Sequence, residues 1–155
     1  MPDVLVLNGP NLNLLGRRRP EVYGTSTLAD VEALCRAAAD ELGVGLQFRQ
    51  SNSEGQLIDW VHEAGAAHEA GLLLGAVFNP GAYTHTSLAL HDAIEGTGLP
   101  VVELHISNVH RREAVRSHSY ISPVALGVVV GLGVAGYPLA LRGLVDATRP
   151  AGGPG

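Results

Sequence analysis

Five short segments rich in aliphatic and β-branched residues alternate along the chain with stretches of helical periodicity: "DVLVLN" from Asp3, "VGLQFRQ" from Val44, "LLLGAVFN" from Leu72, "PVVELHIS" from Pro100 and "GVVV" from Gly127. This alternation constrains the fold more than any other feature. Strands joined through helices pair in parallel, and a parallel sheet must be covered on both faces. The expectation is an α/β domain with a five-stranded parallel sheet and helices on both faces. Thr27 with Asp30 opens the first helical pattern, in which Leu28, Val31, Leu34, Cys35, Ala38 and Leu42 share a face before Gly43 stops it. Ser53 with Gln56 has capping-box spacing for a second helix carrying Leu57, Ile58, Val61 and Ala64, and Gly71 ends that unit. "SLALHDAIEGTG" reads as a short helix, "VHRREAVR" as a brief helical piece, and a last helix covers about 135–146. Residues 1–147 then make one domain, and 148–155, "TRPAGGPG", read as a disordered tail.

Composition narrows the chemistry. At 155 residues and 46% hydrophobic the chain can bury a substantial single core, and its formal charge of −5 argues against a broad nucleic-acid or membrane-surface face. All ten basic residues are arginines, so a Schiff base, a pyridoxal-phosphate linkage and a Walker A lysine are excluded. The single Cys35 cannot form an internal disulfide, which fits a cytoplasmic protein. The start, "MPDVLVLNGPNLN", lacks a basic n-region and its apolar run is broken at Asn8, Gly9 and Pro10, unlike a signal peptide. Residues 119–141 carry no charge and are long enough for a bilayer, but Pro123, Pro138, the intervening glycines and "VVV" read as strand, turn and helix.

In an open parallel sheet the ligand crevice lies beyond the carboxyl ends of the strands, so the loops there matter most. Three are unusually polar: "NGPNLNLLGRRRPEVYG" after the first strand, "NPGAYTHTS" after the third and "HISNVHRREAVRSHS" after the fourth. Together they hold Asn8, Asn11, Arg18, Tyr23, Asn79, His85, His105, Ser107, Arg112 and Arg116. Amide, imidazole, phenol and guanidinium groups with few free carboxylates suit a small, hydroxylated anion, with acid–base work falling to tyrosine and histidine. Asn and Gly after a strand are also ordinary turn residues, and only their co-location favours function. His62, His68 and His118 read as surface residues.

Other chemistries fare worse. "HDAIE", "HISNVH" and "HEAGAAHE" are only loose metal-ligand spacings, no G-x-S-x-G elbow occurs, and Cys35 falls on the apolar face of a helix. "GLGVAG", Gly131 to Gly136, matches a dinucleotide fingerprint between a strand and a helix, but too little chain follows for a second strand and its ribose-binding acid. Glycines that let the last helix pack closely on the sheet are the better account.

The stretches "NGPNLNLLGRRRPEVYG", "RQSNSEGQLIDWVHEA", "FNPGAYTHTSLALHDA" and "PVVELHISNVHRREAVRSHSYISPVALGVVVGLGVAGY" closely resemble the type II 3-dehydroquinate dehydratases, from about Val4 to Asp146. The resemblance implies a flavodoxin-like fold, a dodecamer built as a tetramer of trimers, and conversion of 3-dehydroquinate to 3-dehydroshikimate through an enolate without metal, cofactor or imine. It further implies Tyr23 as general base beside Arg18, His105 as general acid oriented by Glu103, and Asn11 positioning a water against the enolate oxygen. Asn79 and the backbone of Ile106 and Ser107 would take the substrate carboxylate, His85 and Arg116 its hydroxyls, and Asp92 would reach a neighbouring subunit's site. Arg112 would be a further lid contact, and Gly16 and Gly24 would act as the lid's hinges. The chain departs from the family's usual pattern at Arg19, where an acidic residue is common, and at His91, where arginine is common. The pathway could be aromatic amino-acid biosynthesis or quinate catabolism. The alternatives are a flavodoxin-like module binding flavin or nucleotide, and an inactive structural oligomer.

Overall fold

The computed structural model describes residues 1–17 and 19–149, with Tyr23 described through its backbone. Five strands, β1 (Asp3–Asn8), β2 (Gly45–Gln50), β3 (Leu73–Asn79), β4 (Val101–His105) and β5 (Gly127–Val130), form one sheet in the order β2-β1-β3-β4-β5. Every pairing is parallel. This is the flavodoxin-like order, whose connections change direction between β1 and β3. There Asn8 and Asn79, the last residues of the two strands, stand opposite each other.

Alternation along the strands divides the core. Val4 and Val6 of β1, with Val102 and Leu104 of β4, pack with α2 (Leu28–Leu42) and α5 (Gly136–Thr148). Leu5, Leu7, Phe78 and Val101 pack on the other face with α3 (Glu54–Glu69) and α4 (Leu88–Thr97). A one-turn helix, α1 (Pro20–Tyr23), starts with a proline whose ring presets the helical φ.

The capping box at Thr27 forms as expected: Thr27 Oγ1 accepts from the Asp30 N–H and Asp30 Oδ2 accepts from the Thr27 N–H. At Ser53 only half of it forms. Ser53 Oγ accepts from the Gln56 N–H, but the Gln56 side chain accepts instead from Ser51 Oγ at 2.6 Å, and Ser51 Oγ takes the Ser53 N–H. Leu34 departs from the expected face: it is 41% exposed, whereas Ala39 is buried. Helix α5 runs to Thr148, and Arg149 Nη2 donates to the Leu42 carbonyl at 2.6 Å. The rest of the expected tail, 150–155, lies outside the described residues.

The uncharged stretch 119–141 is a 3-10 turn, β5, a second turn and the start of α5, and no described helix is long and apolar enough to cross a membrane. Gly136 of the glycine-rich turn sits where a Cβ would stand 2.9 Å from Leu104 Cδ1, so its bareness lets α5 press on β4. His62 and His118 are exposed, as read from sequence; His68 is half-buried, its Nδ1 2.8 Å from the Leu73 carbonyl.

Candidate active site

The ends of β1 and β3 continue into "NGPN" and "NPG", and these two turns interlock. The Gly9 N–H donates to the Asn79 carbonyl at 2.8 Å, and a Cβ on Gly9 would run into the Pro80 carbonyl. Asn8 and Asn79 are buried beneath this contact and joined by the wholly buried Tyr137. The Tyr137 hydroxyl donates to Asn8 Oδ1 at 2.8 Å and accepts from Asn79 Nδ2 at 3.0 Å. Asn79 Oδ1 accepts from the Gly81 N–H and Asn8 Nδ2 donates to the Arg49 carbonyl, so both amides are held in one orientation. Burial raises the Tyr137 phenol well above its ordinary range against the opposing Asn79 hydrogen bond, and the bridge keeps its proton.

At the end of β4, Glu103 and His105 lie two residues apart on one face, 1% and 6% exposed. His105 Nε2 stands 2.6 Å from Glu103 Oε2. Burial alone would push the Glu103 carboxyl up, but hydrogen bonds from His105, Ser122 and Thr84 together outweigh it and hold the group down at about 2. Glu103 is therefore an anion, which can only accept, so Nε2 is the protonated nitrogen of His105.

His85 lies across from it, the rings near-parallel with centroids 6.3 Å apart. Its Nδ1 donates to the His118 carbonyl at 2.8 Å. Burial lowers its pKa; the His118 carbonyl opposes that, and the charges of His105 and Arg116 add to the lowering. A neutral His85 protonated at Nδ1 presents Nε2 as an acceptor, suited to a substrate hydroxyl.

A cleft beyond the strand ends gathers these groups. Its lining includes Asn11, Asn79, His85, His105, Ile106, Ser107, Arg112 and Arg116. The carbonyls of His105 and Ile106 are engaged by the N–H groups of Gly131 and Gly133, so these carbonyls do not oppose an anion in the cleft. Arg112 Nη1 lies 3.4 Å from Ser107 Oγ, and Arg116 Nε donates to Glu113 at 2.8 Å. Asn11 holds a left-handed conformation (φ 68°) that asparagine tolerates, and its N–H donates to Asn52 Oδ1. A larger cavity, about 920 Å³, opens at the other end of the sheet, among Leu42, Val44, Leu74 and Arg142; the convergent polar groups are at the strand carboxyl ends instead.

Of the residues expected from sequence, Asn11, Asn79, His85, His105, Ile106, Ser107, Arg112 and Arg116 share this cleft, with Glu103 behind His105. Asp92 is absent from its lining and lies exposed on α4, 3.0 Å from His91 Nδ1. Arg18 and the Tyr23 side chain lie outside the described residues; the Tyr23 backbone ends α1, between Gly16 (φ 91°) and Gly24 (φ 77°). Cys35 is wholly buried and its thiol is pushed up to about 12, mainly by burial, so it is no nucleophile. Sequence reading missed four side chains: Tyr137, and the hydroxyls Thr84, Ser119 and Ser122 around Glu103.

Known proteins share this arrangement of chain. The family model described as "Dehydroquinase class II" matches residues 2–145. The 3-dehydroquinate dehydratase of Variovorax paradoxus is 66% identical over 145 residues, covering 94% of this chain and 99% of that protein. The 3-dehydroquinate dehydratase 2 of Ralstonia nicotianae is 65% identical over 150 residues, covering 97% of each. Among solved structures, the type II dehydroquinase from Propionibacterium acnes superposes with a TM-score of 0.87 at 40% identity, covering 94% of this chain and 97% of that one. With the family model spanning nearly the whole chain, and relatives two-thirds identical over almost their full length, this chain belongs to the class II dehydroquinase family.

Proposed function

We propose that this chain is a type II 3-dehydroquinate dehydratase, a hydro-lyase that removes water from 3-dehydroquinate to give 3-dehydroshikimate. The observation that carries the reading is the buried Glu103–His105 pair, its imidazole lining a cleft that also presents the amides of Asn11 and Asn79 and the guanidinium groups of Arg112 and Arg116, in a chain of this family. An acid for a leaving hydroxyl and donors for a carboxylate are what this elimination needs.

In this reading Tyr23 takes the proton beside the ketone. In the same reading the Arg18 cation would favour the phenolate form of that base. Asn11 positions a water against the enolate oxygen. His105 protonates the departing hydroxyl, Glu103 orienting its ring. Asn79 and the backbone of Ile106 and Ser107 receive the carboxylate, while His85 and Arg116 bind hydroxyls. Every proton transfer is assigned to a side chain, so the reaction as proposed uses neither metal nor cofactor. The working form is a homo-oligomer, a dodecamer made as a tetramer of trimers, in which the exposed Asp92 enters a neighbour's site; the lone Cys35 fits a cytoplasmic location.

The test is an absorbance assay for the conjugated enone as 3-dehydroquinate is added. The wild type should give a steady rise, and Tyr23→Phe should reduce kcat by roughly 10²- to 10⁴-fold, the range of a positioned general base. No rise at any pH would overturn the activity; near-wild-type turnover by Tyr23→Phe would remove that residue from the role.

A further inference from the structure

Glu103 is tied to far more than His105. Oε2 accepts from Thr84 Oγ1 at 2.6 Å and from Ser119 Oγ at 2.9 Å, besides His105 Nε2 at 2.6 Å, and Oε1 accepts from Ser122 Oγ. The hydroxyls come from three places: Thr84 from the 3-10 turn after β3, Ser119 from the irregular segment just before the bend at 120–121, and Ser122 from the 3-10 turn Ser122–Val124.

Counting protons fixes the direction of these bonds. Ser119 Oγ accepts the N–H groups of both Ile121 and Ser122 at 3.0 Å, which uses its two lone pairs. Thr84 Oγ1, 3.0 Å from Ser119 Oγ, therefore cannot donate to it and gives its proton to Glu103. Four donors converge on one carboxylate, an arrangement that only the ionised form satisfies. With Nε2 of His105 committed to that anion, the other nitrogen, Nδ1, has no hydrogen-bond partner among the described residues, and the ring lines the cleft.

We propose that Thr84, Ser119 and Ser122 are positioning residues of the dehydration: by fixing Glu103 as an oriented anion they pin one proton on Nε2 of His105 and make Nδ1 the atom that protonates the departing hydroxyl. The proposal rests on the dehydratase reading. In the step concerned the enolate electrons re-form the ketone and build the new C=C bond. The C–O bond breaks with its pair going to oxygen, and that oxygen takes the proton from Nδ1 and leaves as water. His105 is left neutral with Nε2–H intact, and regains its Nδ1 proton from solvent. Without the hydroxyls Glu103 could turn, the imidazole could adopt the other tautomer, and Nδ1–H would no longer be presented in one geometry. Misplacing a reacting group by about 1 Å can cost on the order of 10²-fold.

Two near-isosteric variants test this. Thr84→Val and Ser122→Ala should each lower kcat by roughly 10-fold or more with KM changed less than about 3-fold, because the hydroxyls touch the acid's partner and not the substrate. Thr84→Ser and Ser122→Thr, which keep the hydroxyl, should restore most of the loss. Nitrogen-15 NMR of histidine-labelled protein, with His105 assigned through His105→Asn, should report neutral His105 protonated at Nε2 in the wild type and a mixture of tautomers in Thr84→Val/Ser122→Ala. Unchanged kcat in both single variants would overturn the proposal, as would neutral wild-type His105 protonated at Nδ1. If either single variant fails to fold, the wild-type tautomer still decides. A wild type inactive on 3-dehydroquinate would overturn the dehydratase reading and the step assigned to Nδ1, while the tautomer measurement would still report separately whether the cradle holds His105.

Discussion

Tyr137→Phe isolates one buried hydroxyl that joins the two strands at the reversal of the sheet. Phenylalanine keeps the ring and its packing against α2 and the sheet, so the change removes little besides the oxygen. That oxygen makes two bonds, to Asn8 Oδ1 at 2.8 Å and from Asn79 Nδ2 at 3.0 Å, and all three side chains are at most 3% exposed. A buried polar group left without its partner costs about 1–3 kcal/mol, and here two are left. Asn79 cannot simply turn away, because its Oδ1 is held by the Gly81 N–H, and Asn8 is held by the Arg49 carbonyl. The expected loss is therefore about 2–4 kcal/mol of unfolding free energy. Urea unfolding of wild type and variant at the same protein concentration measures it, since any self-association would make the midpoint depend on concentration. Because Asn79 lines the cleft, KM should rise with the loosened amide. A loss below about 0.5 kcal/mol, within the range of an ordinary surface change, would refute the claim that this hydroxyl holds the strand ends together.

Glu103 makes stability depend on pH in a stated window. Its folded pKa of about 2 lies below the ordinary 4.5, so its contribution is fully present above about pH 5 and is lost as pH falls toward the folded value. At 1.36 kcal/mol per unit the contribution is about 3 kcal/mol. Glu103→Gln should be less stable than wild type near neutrality and lose less on acidification from about pH 5 to 3; parallel stability curves over that range would contradict the cradle. At the other interlock, Gly9→Ala places a Cβ against the Pro80 backbone, which a side-chain rotation cannot relieve. It should cost about 1–3 kcal/mol in denaturant unfolding and lower turnover by displacing the Asn11 turn; an unchanged melting midpoint would mean the two turns yield freely.

The parts of this fold that sequence discloses are those governed by neighbours in the chain. The five strands were legible because β-branched runs bounded by glycine and polar clusters need only local information, and the Thr27 capping box depends on one side chain three residues away. Ser53 shows where local reading stops: the same spacing was present, but Ser51 offered the Gln56 side chain a competing donor. Leu34 was assigned to the buried face by period alone, whereas Ala39 takes the place under the sheet that the helix's actual rotation allows. The cleft was legible as three polar loops because parallel topology sends the ends of alternate strands to one edge. The groups that hold it were not. Thr84, Ser119 and Ser122 lie 16 to 19 positions from Glu103, and Tyr137 is 129 positions from Asn8. Only the folded sheet brings them together.

The two halves of the proposed chemistry stand on different footings. Asn8, Asn79 and His105 end buried strands and Glu103 lies two residues before the end of β4, each 6% exposed or less; Asn8, Asn79 and Glu103 are held by hydrogen bonds from other elements, and His105 by Glu103. The segment expected to carry the base begins and ends at glycines with positive φ, and its described side chains Arg19 and Glu21 are exposed and paired with each other at 3.4 Å. An exposed ion pair of that kind contributes about 0–1 kcal/mol. Rigid strand ends suit an acid that must present one proton in one geometry, and a short helix between glycines suits a group that closes after the substrate has entered. Substitution at the strand ends should therefore disturb folding and turnover together, whereas Arg19→Ala or Glu21→Ala should alter turnover with the unfolding free energy left within about 0.5 kcal/mol. If those loop variants unfolded as readily as Tyr137→Phe, this division between a fixed acid side and a closing base side would be wrong.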